Sequence, residues 1–156
     1  MIIELNDSDE TEALGAALWQ VLPAQCLLYL IGDLGAGKTT LMRGLLRAAG
    51  HAGAVKSPTY ALVEEYHLGE RTVFHFDLYR LKDPEELEWL GMNDYLRQPA
   101  LCCIEWPEMG EGHLPAADIQ LALRHHGERR VIEIKVLADS LKNRLSICWK
   151  NNDLLL

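Results

Sequence analysis

Short, continuous apolar runs along the chain predict buried β-strands. The run at 27–31 has no charged position, and the run at 101–105 has none before its last residue. Both are typical of strands that are covered on both faces of a sheet. Between Asp7 and Pro23, apolar residues instead recur every three or four positions, which predicts a helix that ends at the proline. Residues 38–49, which follow the first run, show a second helical pattern.

The rest of the pattern continues this alternation of strands and helices. The last two predicted strands surround His126-Gly127 and indicate a hairpin. The order predicts an α/β fold: a three-layer sandwich with a mixed, centrally parallel sheet and a C-terminal β-hairpin. We expect a single domain over residues 1–150 and a loose tail over 151–156. Further strands are predicted at 2–5, 60–66, 72–77, 119–123 and 131–136, and further helices from Asp83 onward and over 139–149.

A glycine-rich segment joins the first buried strand to the second helix. Residues 32–39 fit the pattern G-x-x-x-x-G-K-[ST] of a phosphate-binding loop, which makes the fold a P-loop NTPase fold. Its backbone N–H groups and the helix N-terminus attract phosphate, Lys38 reaches the β and γ phosphates, and the Thr39 hydroxyl ligates Mg²⁺. The residues predicted to contact the nucleotide are Asp33, Leu34, Gly35, Ala36, Gly37, Lys38, Thr39 and Thr40.

A nucleotide site of this kind needs an acidic residue at the end of a neighbouring strand, to hold the magnesium shell. Glu105 and Asp77 each end an apolar strand, and a surface acid is the alternative interpretation of either. We favour Glu105 for Mg²⁺, because the strand before it is more apolar. Asp77 would then orient the attacking water or complete the outer shell of the metal. The predicted catalytic residues are therefore Lys38, Asp77 and Glu105.

Three other features concern the same site. The segment Lys56-Ser57-Pro58-Thr59 is predicted to fold over the γ phosphate through Ser57 and Thr59, although a plain turn is an equal alternative. Trp106 either stacks near the nucleotide or packs in the core, and for His75 we favour the core. No N-K-x-D or T-K-x-D sequence occurs, which favours ATP over GTP.

Composition narrows the classes of function. The chain has 156 residues and a net charge of −8, which argues against non-specific binding to nucleic acid. No apolar run approaches the ~18 residues of a membrane span, and the acidic start lacks the features of a signal peptide, so we expect no membrane association and a cytoplasmic location. The four cysteines are expected to be buried, reduced thiols.

Several segments, taken in order, are similar to those of one protein family. They are Gly32–Thr40, Lys56–Tyr60, His75–Leu81, Asp83–Leu87 and Ile104–Pro107. With these segments the chain resembles the TsaE (YjeE) family, the bacterial ATPases of tRNA threonylcarbamoyladenosine biosynthesis, over about residues 2–136.

The resemblance implies a function that spacing alone does not give. ATP would be hydrolysed with Mg²⁺, and the protein would work with TsaD and TsaB, which form threonylcarbamoyladenosine in tRNA. It would let that complex turn over repeatedly and reach tRNA only through it. Lys38 would hold phosphate, Thr39 and Glu105 would hold magnesium, and Asp77 would lie near the reaction centre.

The residues alone are also compatible with two other functions. One is a P-loop small-molecule kinase, although the stretch 107–123 lacks the arginines expected of a kinase lid. The other is a module that senses ATP without hydrolysing it. As an ATPase, the protein alone would be slow, because the sequence has no obvious internal arginine finger.

Overall fold

Seven strands, five α-helices and one 3₁₀ helix follow one another in residues 1–58, 61–136 and 138–153, which the computed structural model describes. In chain order they are β1 (Ile2–Leu5), α1 (Ser8–Val21), β2 (Cys26–Ile31), α2 (Lys38–Ala48), β3 (Val63–Leu68), β4 (Arg71–Asp77), α3 (Glu86–Leu90), α4 (Met92–Arg97), β5 (Leu101–Glu105), the 3₁₀ helix (Pro107–Gly110), β6 (Ile119–His126), β7 (Arg129–Val136) and α5 (Asp139–Asp153).

The strands form one mixed sheet in the order β1-β7-β6-β2-β5-β4-β3. The strands β6, β2, β5 and β4 are parallel to their neighbours at the centre. Antiparallel strands complete both edges. Helices α1, α2 and α5 bury one face of this sheet, and α3 and α4 bury the other. The three-layer sandwich, the central parallel strands and the C-terminal hairpin are thus confirmed.

Helix α1 begins with a side-chain cap that the sequence indicates. The Asp7 carboxylate accepts a hydrogen bond from the Glu10 N–H at 2.9 Å. The Glu10 carboxylate in turn accepts from the backbone N–H of Asn6 at 2.7 Å. In the usual capping box this second bond goes to the N–H of the cap residue itself, so the reciprocal bond is displaced by one position.

Helices α1 and α2 cross at two glycines. A Cβ atom on Gly44 would lie 2.0 Å from the carbonyl oxygen of Glu12, and one on Gly15 would lie 2.2 Å from that of Leu41. Neither position has room for a side chain, so the two backbones touch. This contact fixes α2 against α1 and thereby fixes the position of the glycine-rich loop, from which α2 begins.

Two predicted boundaries are wrong at their N-terminal ends. The strand predicted at 60–66 begins at Val63, because Leu62 has a φ of 61° and interrupts the extended backbone. Tyr60 lies outside the described residues. The helix predicted from Asp83 begins at Glu86, because the Asp83 carboxylate accepts from the Glu85 N–H at 2.9 Å and forms a separate turn first.

The last helix is longer than its pattern predicts. The pattern predicts an end at Trp149, whereas α5 continues to Asp153. Residues 151–153 of the predicted tail are therefore helical, and residues 154–156 lie outside the described part of the chain. The apolar periodicity ends before the helix does, which explains the difference.

Candidate functional site

The glycine-rich loop connects the carboxyl end of β2 to the first turn of α2. Gly37 is the N-cap residue of α2 and has a φ of 107°, a conformation that strains any residue with a Cβ atom. Since glycine has no side chain, it does not cap the helix. The N–H groups of the first turn therefore stay available to an anion, as at other helix N-termini that bind phosphate.

The Lys38 side chain folds back over this loop. Its ammonium donates to the carbonyl of Gly32 and, at 3.0 Å, to that of Asp33. It also lies 4.6 Å from the ring centroid of Trp106, within the range of a cation–π contact. A buried ammonium is thus held by carbonyl oxygens and an aromatic face, with no carboxylate among these contacts.

A chain of hydrogen bonds crosses the site from α2 to β4. The hydroxyl oxygens of Thr39 and Ser57 lie 2.7 Å apart, and the Ser57 hydroxyl donates to Glu105 Oε2 at 3.2 Å. The same oxygen of Glu105 lies 3.2 Å from Nε2 of His75. Four residues that are far apart in the sequence therefore meet in one network. His75 is fully buried, as predicted, but it contacts the site rather than only the core.

The two predicted acids lie side by side on neighbouring strands. Asp77 ends β4, Glu105 ends β5, and the two residues are paired in the parallel register. The Asp77 carboxylate accepts from the Tyr79 N–H at 3.0 Å. Burial raises the pKa of Asp77 above its ordinary value; the Tyr79 hydrogen bond opposes this shift, and the neighbouring Glu105 adds to it.

These residues line one open cleft of about 450 Å³. Eleven of the predicted site residues lie in it: Leu34, Gly35, Ala36, Gly37, Lys38, Thr39, Thr40, Ser57, Asp77, Glu105 and Trp106. Asp33 lines an adjoining cavity, and its carbonyl oxygen accepts a hydrogen bond from the Lys38 ammonium. Thr59 lies outside the described residues.

Three further residues line the cleft, Tyr79, Arg80 and Arg130, and sequence reasoning did not place Tyr79 or Arg130 there. Tyr79 packs its ring against Trp106, with 4.9 Å between the centroids. Arg130 lies on β7, with its Nε 3.8 Å from the position that a Cβ atom on Gly37 would occupy. The hairpin that carries Arg130 is predictable, but the position of this hairpin beside the loop depends on the pairing of β6 with β2, which no local pattern encodes.

Among the described residues, no three His, Cys, Asp or Glu side chains group together as a metal site. Magnesium does not require such a group, because it is usually held by one or two protein oxygens together with phosphate and water. Thr39 and Glu105 offer oxygens of this type, and one hydroxyl group, that of Ser57, bridges them. The residues present therefore fit a magnesium ion that is bound with a nucleotide.

The cysteines follow the expectation of buried, reduced thiols in part, because Cys148 is only half-buried. All four cysteines are free, and three of them are buried. Burial raises the pKa of Cys26 to about 12 and that of Cys102 to about 11, so these thiols stay protonated and unreactive.

In the described part of the chain, no helix combines the length and the apolar character that crossing a membrane demands.

Comparison with known proteins extends these observations. A protein-family model described as threonylcarbamoyl adenosine biosynthesis protein TsaE matches residues 5–132. The tRNA threonylcarbamoyladenosine biosynthesis protein TsaE of Haemophilus influenzae is 52% identical over 120 residues, which cover 77% of this chain and 76% of that protein. The protein of the same name from Bacillus subtilis is 34% identical over 120 residues, covering 77% and 75% of the two chains.

A solved structure supports the same fold. The crystal structure of Bacillus subtilis YdiB matches with a TM-score of 0.80 and 24% identity, and the match covers 97% of this chain and 95% of that chain. The family match spans the glycine-rich loop, both acidic strand ends and most of the hairpin. We conclude that the chain belongs to the TsaE family of threonylcarbamoyl adenosine biosynthesis proteins.

Proposed function

We propose that this cleft binds ATP with Mg²⁺ and hydrolyses it, and that hydrolysis supports repeated turnover of a TsaB–TsaD complex that forms threonylcarbamoyladenosine in tRNA. One observation carries the proposal. A buried lysine, a helix N-terminal threonine and two adjacent carboxylates converge on one glycine-rich loop. These are the groups that phosphoryl transfer needs in P-loop proteins.

The phosphates would bind where the Lys38 ammonium now contacts its own loop. The two carbonyl contacts of this ammonium are neutral acceptors. A charged phosphate oxygen is a stronger acceptor than a carbonyl, so Lys38 would exchange at least one of them for the nucleotide. The loop amides and the N-terminus of α2 would then stabilise the charge that develops on the γ phosphate.

Thr39 and Glu105 would hold the magnesium ion, which would neutralise charge on the phosphate oxygens. Because the Ser57 hydroxyl now bridges these two residues, it must leave or become part of the metal shell when the ion binds. The segment 56–59 would therefore respond to nucleotide and metal. This mechanism supports the predicted switch role of this segment and makes it testable.

Asp77 is the candidate to orient the attacking water. It lies in the cleft beside Glu105, and its backbone contact with Tyr79 fixes the carboxylate. A carboxylate that accepts a hydrogen bond from water aims the oxygen lone pair at the γ phosphorus. The outer shell of magnesium is the alternative position for the same side chain, and kinetics of a variant separate the two roles.

The net charge of −8 suits a subunit that leaves tRNA to its partners. TsaD and TsaB are the proposed partners because the family acts in the pathway of threonylcarbamoyladenosine formation. An ATPase of this design is expected to be slow when isolated, since a stabilising group supplied by a partner is commonly worth several orders of magnitude in rate.

The test is ATP turnover by the full chain, alone and with purified TsaB and TsaD. We expect slow hydrolysis alone, stimulation by the partners, and loss of both with Lys38→Ala. Lys82→Ala is the matched control, because it removes the same charge from an exposed residue that does not line the cleft. Intact ATP after long incubation with the partners would favour a sensing module, and a phosphorylated metabolite would favour a kinase; either result would overturn the proposal.

A further inference from the structure

His75 is a buried histidine that the proposed reaction does not require directly. Its side chain is fully enclosed, and Nε2 lies 3.2 Å from Oε2 of Glu105, which is 1% exposed. A carboxylate that binds magnesium is ionised and only accepts hydrogen bonds, so this role of Glu105 requires a hydrogen on Nε2 of His75. We propose that His75 is a positioning residue, which fixes the Glu105 carboxylate in the orientation that magnesium needs; this inference rests on the proposed function.

The second nitrogen of the ring supports this assignment. Within the described residues, Nδ1 of His75 is buried and has no hydrogen-bond partner. A buried polar atom without a partner destabilises a protein, and an apolar side chain at this position would avoid that cost. Core packing alone would therefore favour an apolar side chain over histidine at position 75.

The strand register explains why a residue at this position reaches Glu105. His75 pairs with Cys103, and Asp77 pairs with Glu105, on the parallel strands β4 and β5. Residues two apart on a strand share a face, so His75 and Asp77 lie on the same side of the sheet. Phe74 and Phe76 face the opposite layer. His75 thus lies one step deeper than Asp77 beneath the same cleft.

Within the described residues, Glu105 has two side-chain hydrogen-bond donors, and metal binding affects the two differently. Ser57 belongs to a loop segment, and its hydroxyl occupies the space between the two proposed magnesium ligands. His75 lies on a strand that is paired on both sides. Metal binding therefore displaces or recruits the serine but leaves the histidine in place. A fixed second donor of this kind is what holds a ligating carboxylate in orientation.

A matched pair of variants tests the proposal. Gln in place of His75 keeps an N–H donor close to the position of Nε2, whereas Met has a similar length and volume but no donor. We would measure the affinity of each protein for ADP in Mg²⁺ and in EDTA by calorimetry, and thermal unfolding without either ligand.

We expect His75→Met to keep the wild-type affinity for ADP in EDTA, but to lose roughly 10-fold or more of the increase in ADP affinity that Mg²⁺ causes, as removal of other supporting groups of metal ligands does. His75→Gln should restore most of it. Equal magnesium enhancement in folded His75→Met and wild type would overturn the inference. If the wild type itself shows no magnesium enhancement, the proposed magnesium site fails, and the inference falls with it.

A second measurement needs no variant. The ¹⁵N chemical shifts of a histidine ring in solution identify which nitrogen carries the hydrogen. We expect Nε2 of His75 to be protonated, with and without Mg²⁺ and ADP. A bare Nε2 with the hydrogen on Nδ1 would overturn the inference, because such a ring cannot donate to Glu105.

Discussion

The hydroxyl oxygens of Thr39 and Ser57 lie 2.7 Å apart, although the two residues are 18 positions apart in the sequence. This contact joins the first turn of α2 to the loop between α2 and β3. Ser57 also donates to Glu105. The loop around Ser57 is therefore tied to the two residues that are proposed to hold magnesium. Its position depends on what occupies the space between them.

Removal of the Ser57 hydroxyl should loosen this segment. We expect Ser57→Ala to speed amide hydrogen exchange at residues 55–57 in the ligand-free protein by about 2- to 10-fold, the factor that corresponds to one net hydrogen bond. Mass spectrometry of exchanged peptides measures the change. Lys56→Ala, at an exposed position in the same segment, is the control. Unchanged exchange in Ser57→Ala would show that the hydroxyl contacts do not hold the segment.

A methyl group at position 44 should destabilise the protein. Helix propensity alone predicts that Gly44→Ala is stabilising by roughly 0.5–1 kcal/mol. The Cβ atom would, however, lie 2.0 Å from the carbonyl oxygen of Glu12, so we expect the overpacked helix pair to cost about 1–3 kcal/mol instead. Urea unfolding measures the sign directly. Ala48→Gly, at an exposed position of the same helix, is the control, because it measures the effect of helix propensity alone. If Gly44→Ala stabilised the protein, that result would contradict the close contact of the helices.

The raised pKa of Asp77 predicts a pH dependence of stability. Between the ordinary pKa of 3.8 and the raised pKa in the fold, Asp77 stays protonated when folded but ionises when unfolded. The unfolded state then binds fewer protons, so the free energy of unfolding falls as the pH rises through this window. Asp77→Asn removes the ionisation and keeps the oxygen that accepts from Tyr79. The variant should show a smaller decline than wild type in urea unfolding across this pH range; an equal decline would mean that other groups cause it.

The same substitution separates two roles for Asp77 in hydrolysis. If Asp77 orients water, Asp77→Asn should lower kcat by about 100-fold or more and leave the affinity for ATP with Mg²⁺ nearly unchanged. We expect this pattern. Weaker magnesium-dependent binding of ATP with a small effect on kcat would instead assign Asp77 to the outer shell of the metal. Steady-state kinetics and calorimetry on one preparation measure both quantities.

Trp106 should report nucleotide binding optically. The Lys38 ammonium lies 4.6 Å from the Trp106 ring centroid, and phosphate binding would draw it away. We expect ATP with Mg²⁺ to change the tryptophan emission, and Trp106→Phe to abolish that change. Trp89→Phe is the matched control, since Trp89 is 90% exposed and does not line the cleft. A change that persists in Trp106→Phe would place its origin elsewhere.

Local patterns predicted the parts of the site that are contiguous in sequence. The glycine-rich loop could be predicted because one short segment contains the turn glycines, Lys38 and the Thr39 hydroxyl. The acids at Asp77 and Glu105 are readable because each ends a strongly apolar run, and the ends of parallel strands meet at one sheet edge. Both interpretations depend on periodicity and sequence order alone.

The contacts between these parts were not predictable in the same way. The contact of His75 with Glu105 depends on the register of β4 against β5, and Arg130 reaches the loop through the pairing of β6 with β2. The late start of β3 depends on the positive φ of Leu62, which the residue type does not favour. Long-range pairing decides the first two features, and a single sequence does not specify it.

The most direct test of the account counts threonylcarbamoyladenosine formed in tRNA by a limiting amount of TsaB and TsaD, over time and with ATP present. The wild-type chain should carry the reaction through many rounds, whereas Lys38→Ala should leave it at a single round although the protein is folded. The same yield and time course with the wild-type chain and with Lys38→Ala would contradict a role for ATP hydrolysis by this chain.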